Sequence, residues 1–161
     1  MSKVLETKNN SVELLQLVSF KIANEEFGVD IMNVQEINKM SQITKVPNSP
    51  EFVEGVINLR GKVIPVVNLR IKMGMLKKET DKDTRIIVVD LSGKTVGFLV
   101  DLVSEVLRIP QSIIEPPPSM VAGINSGFIT AVAKLEERLL ILLDLNKILH
   151  QEEKLILESV A

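Results

Sequence analysis

Gly55-Val56-Ile57-Asn58-Leu59-Arg60-Gly61-Lys62-Val63-Ile64-Pro65-Val66-Val67-Asn68-Leu69 reads as two short strands around a tight turn. The chain repeats it 76 positions on, as Ala131-Val132-Ala133-Lys134-Leu135-Glu136-Glu137-Arg138-Leu139-Leu140-Ile141-Leu142-Leu143-Asp144-Leu145. The register holds without a gap from Phe52 on Phe128 to Met73 on Leu149. Further upstream the offset is 69, with Gly28 on Gly97, Phe20 on Val89, Ile22 on Leu91, Val34 on Val103 and Glu36 on Glu105. A loop insertion at Glu115-Pro116-Pro117-Pro118 absorbs the change of offset. A duplicated chain keeps what its fold needs and diverges where one copy has a task. The sharpest divergence is Asn58-Leu59-Arg60-Gly61 against Lys134-Leu135-Glu136-Glu137, so function is sought at that hairpin.

Around the repeat, the pattern is of short strands punctuated by turns. Leu14 to Ile22 alternates apolar and polar residues, Asn24-Glu25-Glu26 turns, and Phe27 to Ile31 returns. Asn33 to Ile37 continues extended. Pro47-Asn48-Ser49-Pro50 breaks the chain, and Pro50 to Val53 suits one helical turn. Pro65 cannot donate to a ladder, so its strand is expected at an edge or at a bulge. Lys77 to Asp83 is a charged connector. Arg85–Leu91, Val96–Val100, Ser104–Ile109, Phe128–Leu135 and Leu139–Leu143 replay the strands, and Ser92-Gly93-Lys94 replays a turn. Asp144 is placed to cap a short helix over Leu145 to Leu149. Gln151 to Val160 reads as a terminal helix presenting Leu155, Ile156 and Val160. Met1 to Asn10 reads as a frayed tail, and Gly123-Ile124-Asn125-Ser126-Gly127 as a flexible connection.

Regular short strands without a long helical segment argue for small barrels over a βαβ sheet. Units of about 70 residues have thin cores, so two of them must share an apolar layer. The expectation is an all-β fold with short helices: two small β-barrels related by a pseudo-twofold axis. One domain spans 1–161. Its first subdomain covers about 14–76, its connector 77–83, its second subdomain about 84–149 and its C-terminal helix about 151–160.

Composition narrows function mainly by exclusion. With 45% hydrophobic and 25% charged residues the chain is of the globular, ordered class. Net charge is −2 and the only aromatics are five phenylalanines, which speaks against nucleic-acid binding and base stacking. No apolar run nears the roughly 18 residues of a membrane span, and the polar N-terminus lacks a signal-peptide core, so a cytoplasmic protein without membrane insertion is expected. There is no cysteine. His150 is the single histidine, which rules out the usual zinc sites and a Ser-His-Asp set, and assigns His150 a surface or capping role. No phosphate-cradling Gly-rich turn occurs. Asp30, Asp90, Asp101 and Asp144 stand at strand ends, where turns and caps explain them better than acid–base catalysis does. The reading is of a non-enzyme with no cofactor and no metal.

What remains is surface for partners. Val29, Ile31, Val34 and Ile37 exceed the needs of one thin barrel face. They either fill the layer between barrels or line a groove for a helix. Arg60 carries a fixed fork of donors for carboxylates or carbonyls, and its twin has the opposite charge. It is read as serving partner binding or fixing the neighbouring loops.

Taken together and in order, several motifs resemble the CheW family of bacterial chemotaxis coupling proteins. They are Phe27-Gly28-Val29-Asp30-Ile31 with Val34-Gln35-Glu36-Ile37, Gly55 to Gly61, Ile64-Pro65-Val66-Val67-Asn68-Leu69-Arg70, Gly97-Phe98-Leu99-Val100-Asp101 and Leu140 to Asp144. The likeness runs from about Leu15 to Leu157. It implies two five-stranded SH3-like barrels around a third core. It also implies a scaffold linking the cytoplasmic tip of methyl-accepting chemotaxis receptors to the regulatory domain of the histidine kinase CheA. It further implies that this kinase domain has the same fold and that the two join through their barrel ends into rings within receptor arrays. By motif, partner binding carries over to Val34, Glu36, Ile37, Gly55 and Arg60, and more loosely to Ile31, Asn58, Gly97, Val100 and Leu157. Asn68 departs from the family's frequent Asp at the strand end. Competing readings are a stand-alone kinase regulatory domain, the adaptor half of a protein that also carries a phosphoacceptor domain (which the chain's length speaks against), and a small-ligand-binding barrel.

Overall fold

The computed structural model describes residues 13–117 and 127–160. The tail over Met1 to Asn10 and the connection over Gly123 to Ser126 lie outside the described residues. The strands are β1 (Leu14–Ile22), β2 (Glu25–Asp30), β3 (Val34–Lys39), β4 (Val53–Leu59), β5 (Lys62–Asn68), β6 (Arg85–Leu91), β7 (Lys94–Val100), β8 (Leu102–Pro110), β9 (Ile114–Glu115), β10 (Ile129–Lys134) and β11 (Leu139–Leu143). Short helices α1 (Leu69–Lys72) and α2 (Leu145–Ile148) end each repeat, and α3 (Gln151–Val160) follows.

Two sheets form, in the orders β9-β10-β11-β2-β1-β8 and β3-β6-β7-β5-β4. Each curls into a barrel. In the second sheet Thr44 closes the gap by bonding Val56 in both directions, at 2.9 and 2.8 Å. In the first, β9 bonds β10 at the equivalent place. Gly55 permits the first closure: its φ is 150°, and a Cβ there would lie 2.3 Å from the Thr44 carbonyl oxygen.

The expectation of one barrel per sequence half is corrected by the pairing. The second barrel is the continuous stretch 34–100, and the first is built from 14–30 together with 102–143. Each repeat thus lends its leading hairpin to the other, through parallel joins of β2 to β11 and of β7 to β5. The reason is physical. The repeats present the same apolar pattern, so the exchanged and unexchanged arrangements bury the same kinds of face. Only the short crossings decide between them: the 3₁₀ turn Ile31–Asn33, and Asp101.

Three cores result. Leu17, Leu140 and Leu142 fill the first barrel, and Ile57, Ile64, Val66, Ile86 and Val88 fill the second. Between them lies the largest cluster, with Phe20, Phe27, Val67, Ile87, Val89 and Phe98, where Phe20 stacks on Phe27 at 5.8 Å. The central strands therefore have two buried faces, which is why Ile86 to Val89 is unbroken aliphatic sequence in place of an alternation. Gly28 and Gly97 occupy matching interior positions where one more carbon crowds the barrel.

Turns and caps follow the local chemistry. Asp30 accepts from Met32 N (2.9 Å), Asp90 from Gly93 N (2.9 Å), Asp101 from Ala23 N (2.8 Å) and Asp144 from Asn146 N (2.9 Å). Asn68 does the capping work of its twin Asp144, accepting from Ile71 N at 3.2 Å, and also donates to Glu54 at 3.0 Å. Pro50 to Val53 is a hydrogen-bonded turn (Val53 N to Pro50 O, 3.0 Å) and no helix. Among the described side chains of α3 the buried one is Leu157, while Leu155 is 57% exposed, because the helix docks by its other face on the central core. Glu153 anchors its start, accepting from His150 N (2.8 Å) and from Lys72 (2.5 Å).

Pro65 lies in a strand that is interior to its sheet, with a register shift opposite between Val53 and Gly55. On its other side β5 pairs with β7 only from Val66 onward, so the proline faces an unpaired segment.

At Gly97 a Cβ would meet Ile86 Cγ2 at 2.8 Å, whereas at Gly28 the nearest atoms are leucine methyls at 3.3 Å. Gly97→Ala is therefore expected to destabilise the fold by about 1–3 kcal/mol, and Gly28→Ala by less. Urea denaturation followed by far-UV circular dichroism measures both, and an equal or reversed order removes the packing argument.

Candidate functional site

The β4–β5 turn places Arg60 and Gly61 at φ 52° and 84°. Two consecutive positive values define the type I′ turn that matches the twist of a two-residue hairpin. Asn58 holds it, its Oδ1 accepting from Gly61 N at 2.9 Å. Arg60 is the unusual residue here, since a side chain in the left-handed region is disfavoured. Its guanidinium reaches back to Glu36 on β3, with Nη1 to Oε1 at 3.2 Å and Nη2 to Oε2 completing a bidentate pair. Arg60 is 71% exposed and Glu36 23%. The pair ties the tip of one hairpin to the opposite edge of the same sheet.

Glu36 is aimed by a bulge. The β3–β6 register slips between Val34 and Glu36, setting Gln35 outside the ladder. The β1–β8 register slips at the matching place, between the Ser19–Glu105 and Phe20–Val103 pairs, and leaves Ser104 out. Glu105, the twin of Glu36, thus has the same presentation. Its partner is Arg138, at 3.4 Å through Nη2. Arg138 also bonds Glu26 through Nε at 2.7 Å, and the buried Glu26 takes the Ser19 hydroxyl. The charge reversal at Glu136 is therefore offset two residues later. Beside each ion pair stands an exposed aliphatic residue: Ile37 in one barrel and its twin Val106, with Leu139, in the other. Arg138, Val106 and Leu139 were not legible as site residues, although Val106 stands 69 positions after Ile37.

Ile31 and Val34 are partly buried and pack against the central core, as does Val103. Along β3, Val34 and Ile37 stand opposite Val89 and Ile87 of the central core, whereas Glu36 stands opposite Val88 and reaches the surface of the β4–β5 hairpin that carries Asn58 and Arg60. The remaining expected residues are not on that surface. Val100 is 1% exposed and Leu157 4%, both within the central core, while Gly55 and Gly97 are buried at points of close backbone or side-chain approach. The central core covers one side of β7 through Val96, Phe98 and Val100 and takes Leu157 from α3, while Leu99 turns the other side of β7 into the second barrel. Both barrel interiors are packed with side chains, which disfavours a ligand inside either barrel. Among the described residues no group of His, Cys, Asp or Glu is arranged to hold a metal ion, and no helix is long and apolar enough to cross a membrane.

The CheW-like domain model matches residues 16–153. The chain belongs to the CheW family. It is 38% identical over 146 residues to the chemotaxis protein CheW of Klebsiella aerogenes, covering 91% of this chain and 88% of that protein. With the CheW of Helicobacter pylori it shares 36% over 145 residues, covering 90% and 87%. The crystal structure of the scaffolding protein TtCheW from Thermoanaerobacter tengcongensis superposes with a TM-score of 0.78 at 42% identity, covering 84% of this chain and 92% of that one. The all-β, two-barrel architecture is that of a CheW-like scaffold.

The Arg60 hydrogen bonds hold the Glu36 carboxyl below its ordinary 4.5; burial opposes them, and the Arg60 charge adds a smaller lowering. A carboxyl lowered in the folded state contributes stability above its unfolded value of 4.5, and loses it as pH falls through the lower folded value. In an NMR titration of side-chain carboxyl carbons, Glu36 is expected to titrate below 4.5 and to return toward it in Arg60→Ala. A Glu36 midpoint that Arg60→Ala leaves in place rules out the clasp.

Proposed function

We propose that this chain is a non-enzymatic adaptor of bacterial chemotaxis. It couples the cytoplasmic tip of methyl-accepting receptors to the regulatory domain of the histidine kinase CheA and helps build receptor arrays. The observation that carries the proposal is the matched pair of presentations, Glu36–Arg60 beside Ile37 and Glu105–Arg138 beside Val106, one on each barrel. A chain with two like surfaces on two barrels can join partners of its own fold on both sides, as a link in a ring does. The adaptor works in the cytoplasm, held at the membrane-associated array through its partners.

The receptor tip is an antiparallel helical hairpin, and the partly buried Ile31 and Val34 with exposed Ile37 offer an apolar strip for a helix face. Arg60 adds orientation. Its fork is already held by Glu36, so little side-chain entropy is lost when a partner's carboxylate or carbonyl takes the remaining N–H donors. Each interface is expected to bury roughly 600–800 Å² per partner, giving moderate affinity that the array multiplies through avidity.

Titration calorimetry against the isolated CheA regulatory domain of the same organism is expected to give saturable one-to-one binding. No heat at high micromolar concentration removes the kinase-coupling claim. Arg60→Glu, with circular dichroism unchanged, is expected to weaken binding of a receptor-tip fragment about tenfold, or about 1.4 kcal/mol. Adding Glu36→Arg restores the intramolecular pair with its charges exchanged. If Arg60 contacts the partner, binding stays weak; full rescue assigns Arg60 to loop positioning alone.

A further inference from the structure

The two barrels differ at the join between their hairpins. In the first, β11 meets β2 at Leu140–Glu26, Ile141–Phe27 and Leu142–Gly28. Carried across by the repeat offsets, these positions are Ile64–Thr95, Pro65–Val96 and Val66–Gly97. Only the last is paired in the second barrel, where the ladder runs Val66–Gly97, Val67–Phe98 and Asn68–Leu99. The residue that interrupts it is Pro65, standing where the twin has Ile141. Proline has no N–H to give a parallel neighbour, so pairing ends at Val66. Lys62 to Pro65 of β5 and Lys94 to Val96 of β7, each paired on its other side to β4 and β6, have no ladder pairing to one another.

A cleft of about 200 Å³ opens there, with α3 as its far wall. Its floor is apolar, including Pro65, Val96, Leu149 and Leu157, with Val63 51% exposed at its mouth. Its charged rim is Lys62, Lys94 and Lys154 against the single acid Glu158, which Lys94 already engages.

We propose that this cleft binds an extended acidic peptide segment of a partner protein, with one large apolar side chain seated on the cleft floor. The open strand edge supplies main-chain donors and acceptors, as in recognition by strand addition. The apolar floor takes the side chain, and the lysine rim selects carboxylates on either side of it. An acyl chain with a single carboxylate satisfies the floor and the rim but leaves the strand edges without partners, which favours the peptide. The cleft shares the β4–β5 hairpin with Arg60 but requires no role for Arg60 or Glu36.

The chain contains no Trp and no Tyr, so one tryptophan in a peptide reports binding without background. The probe is acetyl-Glu-Glu-Val-Trp-Val-Glu-Glu-amide, with a counterpart in which lysine replaces each glutamate, each titrated with the full chain. Expected is a saturable blue shift for the acidic peptide alone, weakened at least tenfold in the doubly substituted Lys62→Glu/Lys154→Glu chain. Pro65→Ile, which copies Ile141, is expected to extend the ladder, close the cleft and abolish the shift while circular dichroism is retained. The two lysine substitutions are at the surface and decide the matter even where Pro65→Ile fails to fold. No saturable shift, equal binding of the basic peptide, or undiminished binding by the lysine variant overturns the proposal. So does sodium decanoate protecting the chain against thermal unfolding when the acidic peptide does not.

Discussion

Everything in this molecule depends on the apolar layer between the barrels. Neither barrel is self-sufficient: the side chains inside each are few, and the outer faces of the central strands are as apolar as their inner faces. Phe20, Ile87, Val89 and Phe98 are fully buried only because each barrel roofs the other. Removing apolar surface from water is the dominant favourable term in folding, and here the largest share is collected between the units. The crossings at Ile31–Asn33 and Asp101, the capping aspartates and the docking of Leu157 all serve to hold that layer closed.

The same constraint separates residues that can meet a partner from those that cannot. Strands β6 and β7 have almost no exposed side chains, so the exposed ion pairs lie on β3, on the β4–β5 hairpin and on their twins. There the bulges at Gln35 and Ser104 turn a glutamate toward an arginine from the neighbouring hairpin. The duplication conserves this device while changing its parts: a two-residue turn with Arg60 on one barrel, a longer loop with Arg138 on the other.

Much of this was legible in the chain. The two offsets, the turn at Ser92-Gly93, the capping aspartates and the paired glycines 28 and 97 are local features, and local chemistry determines them. Three things were not legible, each because the deciding contact is long-range. The exchange of hairpins leaves no mark on hydrophobic periodicity. The choice of Leu157 over Leu155 depends on where α3 lands. The pairing of Arg138, the counterpart of Lys62, with Glu105 and Glu26 bridges elements far apart in sequence, so the reversal at Glu136 concealed that the second barrel keeps an arginine for its bulged glutamate. The burial of Val100 was not legible for the same reason, since apolar residues of core and interface look alike in sequence.

The nesting of one barrel inside the other also orders events on the ribosome. The second barrel is finished once residue 100 has emerged, because all its strands lie between 34 and 100. The first cannot close until Ile141 is available to lie beside Phe27, so its leading hairpin must wait, with one apolar face uncovered, through most of synthesis. Pairings this distant in sequence form slowly. The inserted barrel, complete early and presenting the matching apolar face, is the natural shelter for that waiting hairpin. Nascent-chain folding is thereby expected to run from the middle of the sequence outward.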